Sequence, residues 1–270
     1  MTSLVQYKVS GANCAHYIPD FVTPDEETYL LRKIEESPQP RWKKLANRRL
    51  QIWGGDLAQR VLIPQPLPTI VTTYPDLVSR LAATGAFAGT PHGAPNHIIM
   101  NEYLPGQGIM PHEDGPAYHP VVATLSLGAH TVMNYYRYAP DTDGVGDGGG
   151  ESGELQRGRA IDPAPVMSLL LEPRSIVITS GKLYTAHLHG IDAREADAFL
   201  PAGGERSAEV GTGEAGPVRV ANAHMLTGAA ARAAVRDGGV LRRGTRYSLT
   251  CRDVGRVSGA GRGLGRVLRR

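Results

Sequence analysis

Four side chains in two short stretches of this sequence have the chemistry of metal ligands. His112 and Asp114 are separated by one residue, and so are His187 and His189. In extended backbone, residues i and i+2 point to the same side, so each pair can converge on one point. Two neutral imidazoles and one carboxylate bind divalent iron on one face and leave positions open for a bidentate cosubstrate and dioxygen. The pattern predicts an iron site of His112, Asp114 and one of the two later histidines.

Other roles for these residues stay open at this point. A zinc-protease motif is excluded, because it needs a second histidine at position 116, where Pro116 stands. Catalytic zinc more often uses three ligands and one water. A structural role is the remaining alternative, with His112 and Asp114 stabilising a turn and His189 at the surface.

A strand near the C-terminus carries two arginines that suit an anionic cosubstrate. Strand alternation puts Arg246, Ser248, Thr250 and Arg252 on one face. At about 3.3 Å per residue, the two arginine Cα atoms lie roughly 20 Å apart. Inward-leaning side chains could therefore bracket a short dicarboxylate, which the guanidinium fork pairs with bidentately. The alternative is that this face is the solvent side of an edge strand.

Residues 41–53 contain five cations and both tryptophans of the chain. Cations that bind phosphate, interleaved with rings that stack on bases, are what a nucleic-acid contact needs. An equally weighted alternative is a solvated basic hairpin whose tryptophans anchor the core. The candidate substrate-binding residues are Trp42, Lys43, Lys44, Arg48, Arg49 and Trp53.

Composition is typical of one globular domain. The 270 residues suit a single β-rich domain, 41% of them are hydrophobic, and a net charge of +3 does not demand a nucleic-acid partner. Cys14 and Cys251 offer no disulfide framework, and Cys251 lies in an apolar strand pattern typical of a buried thiol. With no signal peptide and no apolar run near 18 residues, we expect a soluble intracellular protein without membrane contact. No feature indicates an oligomer.

The secondary-structure pattern changes near residue 97. Before it, Thr23, Pro24 and Glu26 predict a capped helix that ends before Pro38, and residues 67–87 have helical spacing that Pro75 could split. Many strands after a helical portion favour an antiparallel sandwich with helices on one side. Short strands are predicted at 97–103, 121–127, 131–138, 166–171, 175–180 and 241–253, mobile loops at 140–165 and 193–217, and a frayed basic tail at 256–270.

Together these motifs resemble the AlkB family of iron(II)- and 2-oxoglutarate-dependent dioxygenases. Longer stretches look like its eukaryotic branch called AlkB homologue six, and the resemblance covers nearly the whole chain outside the two loops and the tail. The family motifs are Asn101-x-Tyr103, His112-x-Asp114, His189-Gly190-Ile191 and Arg246-x5-Arg252, and the branch stretches are Tyr103–Pro116, Leu125–Gly128, Leu169–Ser175 and Arg243–Arg246.

The resemblance implies a fold that is mostly β with flanking helices. A double-stranded β-helix, or jelly roll, would span about 96–255, with N-terminal helices and a nucleotide-recognition lid at about 16–95, in one domain of 1–270. Fe2+ would be held by His112, Asp114 and His189, because the family's distal ligand precedes Gly-Ile or Gly-Val; a role for His187 stays open. The residues implied for 2-oxoglutarate are Asn101, Tyr103, Arg246, Ser248 and Arg252, with Arg246 on the distal carboxylate and O2 as the second cosubstrate.

The implied activity is oxidative demethylation of N-alkylated bases in DNA or RNA, in the nucleus and cytoplasm. Single strands would be preferred, because flipping a base out of a duplex costs a few kcal/mol. Residues 41–53 fall where the family places its lid, which favours a nucleic-acid contact. The alternatives are a dioxygenase of the same scaffold acting on a protein or lipid, and a nucleic-acid-binding protein with a vestigial iron site.

Overall fold

The computed structural model describes residues 4–139, 159–201 and 216–259. In these ranges the helices are α1 (Pro24–Glu35), α2 (Thr69–Thr72), α3 (Leu77–Ala83), α4 (Gly181–Thr185) and α5 (Ala229–Asp237). The strands are β1 (Ala15–Ile18), β2 (Lys43–Leu45), β3 (Arg48–Trp53), β4 (Gly55–Ala58), β5 (Val61–Pro64), β6 (His97–Tyr103), β7 (Ile109–His112), β8 (Tyr118–Leu127), β9 (Thr131–Tyr136), β10 (Met167–Leu171), β11 (Ile176–Ser180), β12 (Leu188–Ile191), β13 (Ala196–Ala198), β14 (Val240–Arg242) and β15 (Arg246–Val254).

Two antiparallel sheets form the body of the protein. The large sheet has the order β1-β11-β8-β15-β6-β3-β2, and the small sheet has the order β10-β9-β12-β7. Four adjacent strands of the large sheet, β11-β8-β15-β6, and the four strands of the small sheet make the jelly roll. The predicted strand-rich core with flanking helices is confirmed.

Helices cover one face of the large sheet. α1 begins at the predicted capping box, in which Thr23 Oγ1 accepts from the Glu26 N–H and the Glu26 carboxylate accepts from the Thr23 N–H at 2.9 Å. Apolar residues of α1 and α3 pack in one core cluster with Ile98 and Met100 of β6. Because side chains alternate along a strand, Asn101 and its i±2 neighbours face the space between the two sheets.

Between α1 and α2 the N-terminal region adds four strands, of which the sequence anticipated only the basic hairpin at residues 41–53, as one of two alternatives. β3 joins the large sheet beside β6, and β2 and β3 form a hairpin at the sheet edge. β4 and β5 make a separate hairpin. The helical stretch at 67–87 is split around Pro75, as predicted, into α2 and α3. No helix within the described ranges is long and apolar enough to cross a membrane.

In the C-terminal part of the chain, from residue 193 onward, three boundary predictions are wrong. The strand predicted at 241–253 is two strands, because β14 pairs with β13 while β15 joins the large sheet. β13 lies in the predicted loop 193–217, so part of that loop is a strand. The rest of the two predicted loops falls largely on residues 140–158 and 202–215, which lie outside the described residues. The predicted tail starts later than 256, because Leu62 N–H donates to Arg256 O and Ser258 N–H donates to Leu62 O, both at 2.8 Å. Residues 260–270 are also outside the described ranges.

Candidate active site

Three potential metal ligands converge beside the small sheet. His112, Asp114 and His189, here called the metal trio, each offer a ligand atom, and these atoms lie within 4.8 Å of one another. His112 and His189 are paired across β7 and β12, with ring centroids 4.4 Å apart. β7 ends at His112, so Asp114 reaches the site from the following loop and not from the strand that the i,i+2 argument assumed.

His187 is not part of this cluster. It follows α4 and precedes β12, and its Nδ1 lies 3.1 Å from the carbonyl oxygen of Lys182. The expectation that His187 and His189 share one strand face is wrong, because the strand begins only at Leu188. His187 therefore lies in the short connection between α4 and β12, and only His189 belongs to the strand.

Each histidine of the metal trio has a feature that suits metal binding. Nδ1 of His112 lies 2.8 Å from the Met110 carbonyl oxygen, which only accepts, so Nδ1–H is the donor and Nε2 is the nitrogen left for a metal. Burial lowers the pKa of His189 to about 4, although Asp114 acts in the opposite direction. The imidazole is therefore neutral near pH 7, as a metal ligand must be.

Unpartnered polar atoms at the site fit a bound cation and a bound anion. Asp114 Oδ1 accepts a short hydrogen bond from Arg252 Nη2, while Asp114 Oδ2 is buried without a hydrogen-bond partner among the described residues. Arg252 Nε and Nη1 are buried and unpartnered in the same ranges. Such atoms are costly to leave unsatisfied. A metal at Asp114 and an anionic ligand at Arg252 would satisfy them, so the donor set of two nitrogens and one carboxylate fits Fe2+.

A cavity of about 110 Å³, the cosubstrate cavity, opens beside the metal trio. The register pairs Arg246 with Tyr103 and Ser248 with Asn101, so these four side chains share one face. The edge-strand alternative is wrong, because β15 lies between β6 and β8 and all its residues are buried. All five residues predicted to hold 2-oxoglutarate line this cavity: Asn101, Tyr103, Arg246, Ser248 and Arg252.

Arg246 is a buried cation without an acidic partner among the described residues. It is 2% exposed, and its Nε and Nη2 donate to Ser126 Oγ at 3.3 and 2.9 Å. Its guanidinium carbon lies 5.6 Å from the ring centroid of Tyr103. Burial lowers the pKa of Arg246 to about 10, which still leaves it charged at neutral pH. Because an unpaired buried charge is strongly unfavourable, the position suits a carboxylate ligand.

A second cavity of about 500 Å³, the outer cavity, adjoins the first at the metal trio. The two cavities share Arg48, His112 and Arg252. Arg48 Nε donates to Asn101 Oδ1 at 3.0 Å, so one residue of the basic segment borders both spaces. Tyr118 lines the outer cavity, 4.9 Å from the Arg252 guanidinium carbon. Sequence reasoning missed Tyr118, because it placed the start of β8 three residues later, at Val121.

The basic segment divides into buried and exposed parts. Trp42 and Trp53 are each 8% exposed and belong to the core. Arg49 donates to both carboxylate oxygens of Glu102, at 2.6 and 2.5 Å, and lies 4.0 Å from the Trp42 ring centroid. These rings therefore have the core role that was the alternative, while the two lysines of β2 are exposed.

Comparison with known proteins agrees with this geometry. Residues 14–252 match the 2OG-Fe(II) oxygenase superfamily. The chain is 34% identical over 251 residues to "Probable RNA/DNA demethylase ALKBH6" of Danio rerio, which covers 93% of this chain and 90% of that protein. It is 27% identical over 193 residues to "tRNA (carboxymethyluridine(34)-5-O)-methyltransferase alkbh8" of Xenopus tropicalis, covering 70% of this chain and 26% of that protein. The solved structure titled "The structure of OsALKBH1" aligns with a TM-score of 0.46 at 12% identity, over 91% of this chain and 100% of that one.

Proposed function

Because the chain belongs to the 2OG-Fe(II) oxygenase superfamily and, within it, to the AlkB family, we propose that it oxidatively removes alkyl groups from nucleic-acid bases. It is a dioxygenase that uses Fe2+, 2-oxoglutarate and O2. The observation that carries the proposal is the metal trio beside Arg246, which is buried and has no acidic partner among the described residues. A complete ligand set beside a buried cation argues against a vestigial iron site.

The side chains divide the work between metal and cosubstrate. The metal trio would hold Fe2+, which with 2-oxoglutarate and O2 supplies the oxidation of a carbon–hydrogen bond. Arg246 would bind the distal carboxylate, with Tyr103 and Ser248 beside it. Arg252 fixes Asp114 through Nη2 and keeps Nε and Nη1 for an anion. Arg48 orients Asn101.

The outer cavity is the place for the base. At about 500 Å³ it adjoins the metal trio, so an alkyl group on a base inside it would lie next to the iron. A duplex base must be flipped out to reach such a cavity, which supports a preference for single strands. The exposed Lys43 and Lys44 at the sheet edge would contact phosphates. The names of both relatives refer to nucleic acid as well.

The test is direct product analysis. The protein is incubated with Fe2+, 2-oxoglutarate and oligonucleotides, DNA or RNA, each carrying one N-methylated base, in single-stranded and duplex form. We expect loss of the methyl group from at least one base type, faster in the single strand. No loss from any oligonucleotide, in a preparation that does convert 2-oxoglutarate to succinate, would contradict the proposal and favour a protein or lipid substrate.

We also expect the protein in the nucleus and cytoplasm, where its substrates are. Cys14 and Cys251 are both free thiols, which suits a reducing compartment. Burial raises the pKa of Cys251 to about 12, so this thiol is inert. Microscopy of a fluorescent fusion checks the location, and exclusion from both compartments would contradict it.

A further inference from the structure

A basic cavity outside the metal site has no role in the chemistry described so far. Its volume is about 340 Å³, and its basic lining residues are Arg60, His119 and Arg256. No acidic side chain lines it. Among the described residues, the side chains of Arg60 and Arg256 have no hydrogen bond and no ion pair. Two permanently charged guanidinium groups are therefore free to bind an anion.

Three separate elements bring these basic side chains together. Arg60 lies in the two-residue turn between β4 and β5, where Gln59 and Arg60 have φ of 49° and 66°. Arg256 is fixed beside β5 by the hydrogen bond from Leu62 N–H to its carbonyl oxygen at 2.8 Å. His119 belongs to β8. Backbone pairing of β4, β5 and residue 256 therefore fixes the positions of Arg60 and Arg256 beside the cavity.

The basic cavity is next to the outer cavity. Tyr118 lines both of them. Gly115 lines the outer cavity, while Pro116 and Ala117 line the basic one. Pro116 follows the metal-trio residue Asp114 by two positions, so their Cα atoms are at most about 7 Å apart. A nucleotide with its base in the outer cavity would place its backbone close to the basic cavity.

We propose that the basic cavity binds a backbone phosphodiester that flanks the nucleotide in the outer cavity. The inference rests on the proposed function. Arginine suits the ligand, because its planar fork pairs with phosphate oxygens bidentately. The contact fixes the position of the strand without selecting a base sequence. Prolines 116 and 120 and the Tyr118 ring offer apolar surface to the adjoining sugar.

The test compares two double variants that remove the same charge. Arg60→Gln with Arg256→Gln changes the basic cavity, and glutamine keeps the Cβ at the positive φ of residue 60. The control, Arg32→Gln with Arg236→Gln, changes exposed arginines of α1 and α5 that line none of these cavities. Binding of a fluorescent single-stranded oligonucleotide is titrated over a range of salt concentrations. Thermal unfolding checks that each variant is folded.

We expect the basic-cavity variant to lose about tenfold in affinity, and its slope of log K against log salt to fall by about 0.7, since the one phosphate that the cavity neutralises contributes about 0.7 in a single strand. The control should keep the wild-type slope. A second measurement needs no variant: one neutral methylphosphonate, placed at each linkage in turn, should weaken wild-type binding most next to the modified base. The basic-cavity variant should not respond to that substitution.

The outcomes separate this inference from the proposed function. Equal binding by the basic-cavity variant and wild type, with demethylation intact, overturns the phosphate site alone. A selective loss of binding in a protein that demethylates no oligonucleotide supports the site and contradicts the activity. No oligonucleotide binding by the wild-type protein at any salt concentration overturns the site.

Discussion

The cosubstrate cavity and the outer cavity meet at the metal trio, but different parts of the fold form their walls. β6 and β15, adjacent strands of the large sheet, carry the polar wall of the cosubstrate cavity in fixed register. The outer cavity shares Arg48 and strand residues such as Ile99 and Arg252 with the cosubstrate cavity, and it adds the loop after β7 and Asn47 of the β2–β3 hairpin at the sheet edge. On the proposed assignment, cosubstrate binding would depend on rigid strands, whereas substrate recognition would depend more on a loop and an edge hairpin, where sequence can vary without disturbing the chemistry.

The largest expected effect is at the point where the cavities meet. His189→Ala removes a metal ligand and should abolish succinate formation from 2-oxoglutarate, because two remaining ligands hold Fe2+ poorly. His187→Ala is the matched control, since His187 lies two residues away and outside the cluster. Succinate is measured for both variants. Equal rates in the two variants would remove His189 from the metal site.

The next effect is confined to the cosubstrate cavity. Arg246→Met should raise the KM for 2-oxoglutarate on the order of 100-fold, since breaking a buried charged pair costs about 2–5 kcal/mol. Without 2-oxoglutarate, the variant should be as stable as the wild type or more stable, because it loses an unpaired buried cation. Ser126→Ala, which removes one neutral partner, should change KM less. Succinate assays measure the KM, and thermal unfolding with and without 2-oxoglutarate measures the stability. An unchanged KM in Arg246→Met would contradict the role of Arg246 in binding 2-oxoglutarate.

The basic segment tests the edge hairpin. Lys43→Gln with Lys44→Gln should reduce the salt slope of oligonucleotide binding by about 1.4 and leave the KM for 2-oxoglutarate unchanged. Arg49→Gln should behave differently: it should lower the free energy of unfolding by about 1 kcal/mol, through loss of Glu102 and Trp42 contacts at a partly exposed site. Its effect on oligonucleotide affinity should be smaller. If Arg49→Gln weakened oligonucleotide binding more than the double lysine variant does, Arg49 would have to leave Glu102 and bind nucleic acid.

The smallest effect lies outside both cavities. The hydrogen bond from Arg80 holds the pKa of Glu26 below its usual 4.5, although burial acts in the opposite direction. This stabilisation is present above about pH 4.5 and is lost as pH falls through the lower folded-state pKa. Glu26→Gln should therefore unfold at lower urea than wild type at pH 7, and the difference should shrink below pH 4. If the difference in urea midpoint between Glu26→Gln and wild type stayed constant from pH 7 to pH 3, the lowered pKa of Glu26 would be contradicted.

Regular strands made the cosubstrate wall predictable from the sequence. In β15 the alternation of Arg246 and Ser248 with apolar neighbours gives the face that lines the cavity, because residues 246–252 pair in unbroken register with β6. Its central position was not predictable, since the pattern of one strand does not identify the strands beside it. The edge-strand alternative fails only when β6 and β8 are seen on either side.

The position of His187 and the roles of the basic segment depend on features that sequence periodicity does not contain. α4 has five residues, too few for a helical pattern, yet a contact with its Lys182 carbonyl holds His187 outside the strand that carries His189. The burial of Trp42 depends on tertiary packing, and Arg49 is occupied by Glu102, which lies 53 residues away in the chain. Mixed basic and aromatic composition cannot distinguish a buried cation–ring pair from an exposed nucleic-acid surface.

The most direct test of the account is the ratio of aldehyde released to succinate formed on a single-stranded oligonucleotide with one N-methylated base. Oxidative dealkylation at the metal trio predicts a ratio of about one, dependence on Fe2+ and 2-oxoglutarate, and an unmodified base in the recovered strand. Succinate formed at the same rate with and without oligonucleotide, with no aldehyde and the methyl group retained on every base tested, would contradict it.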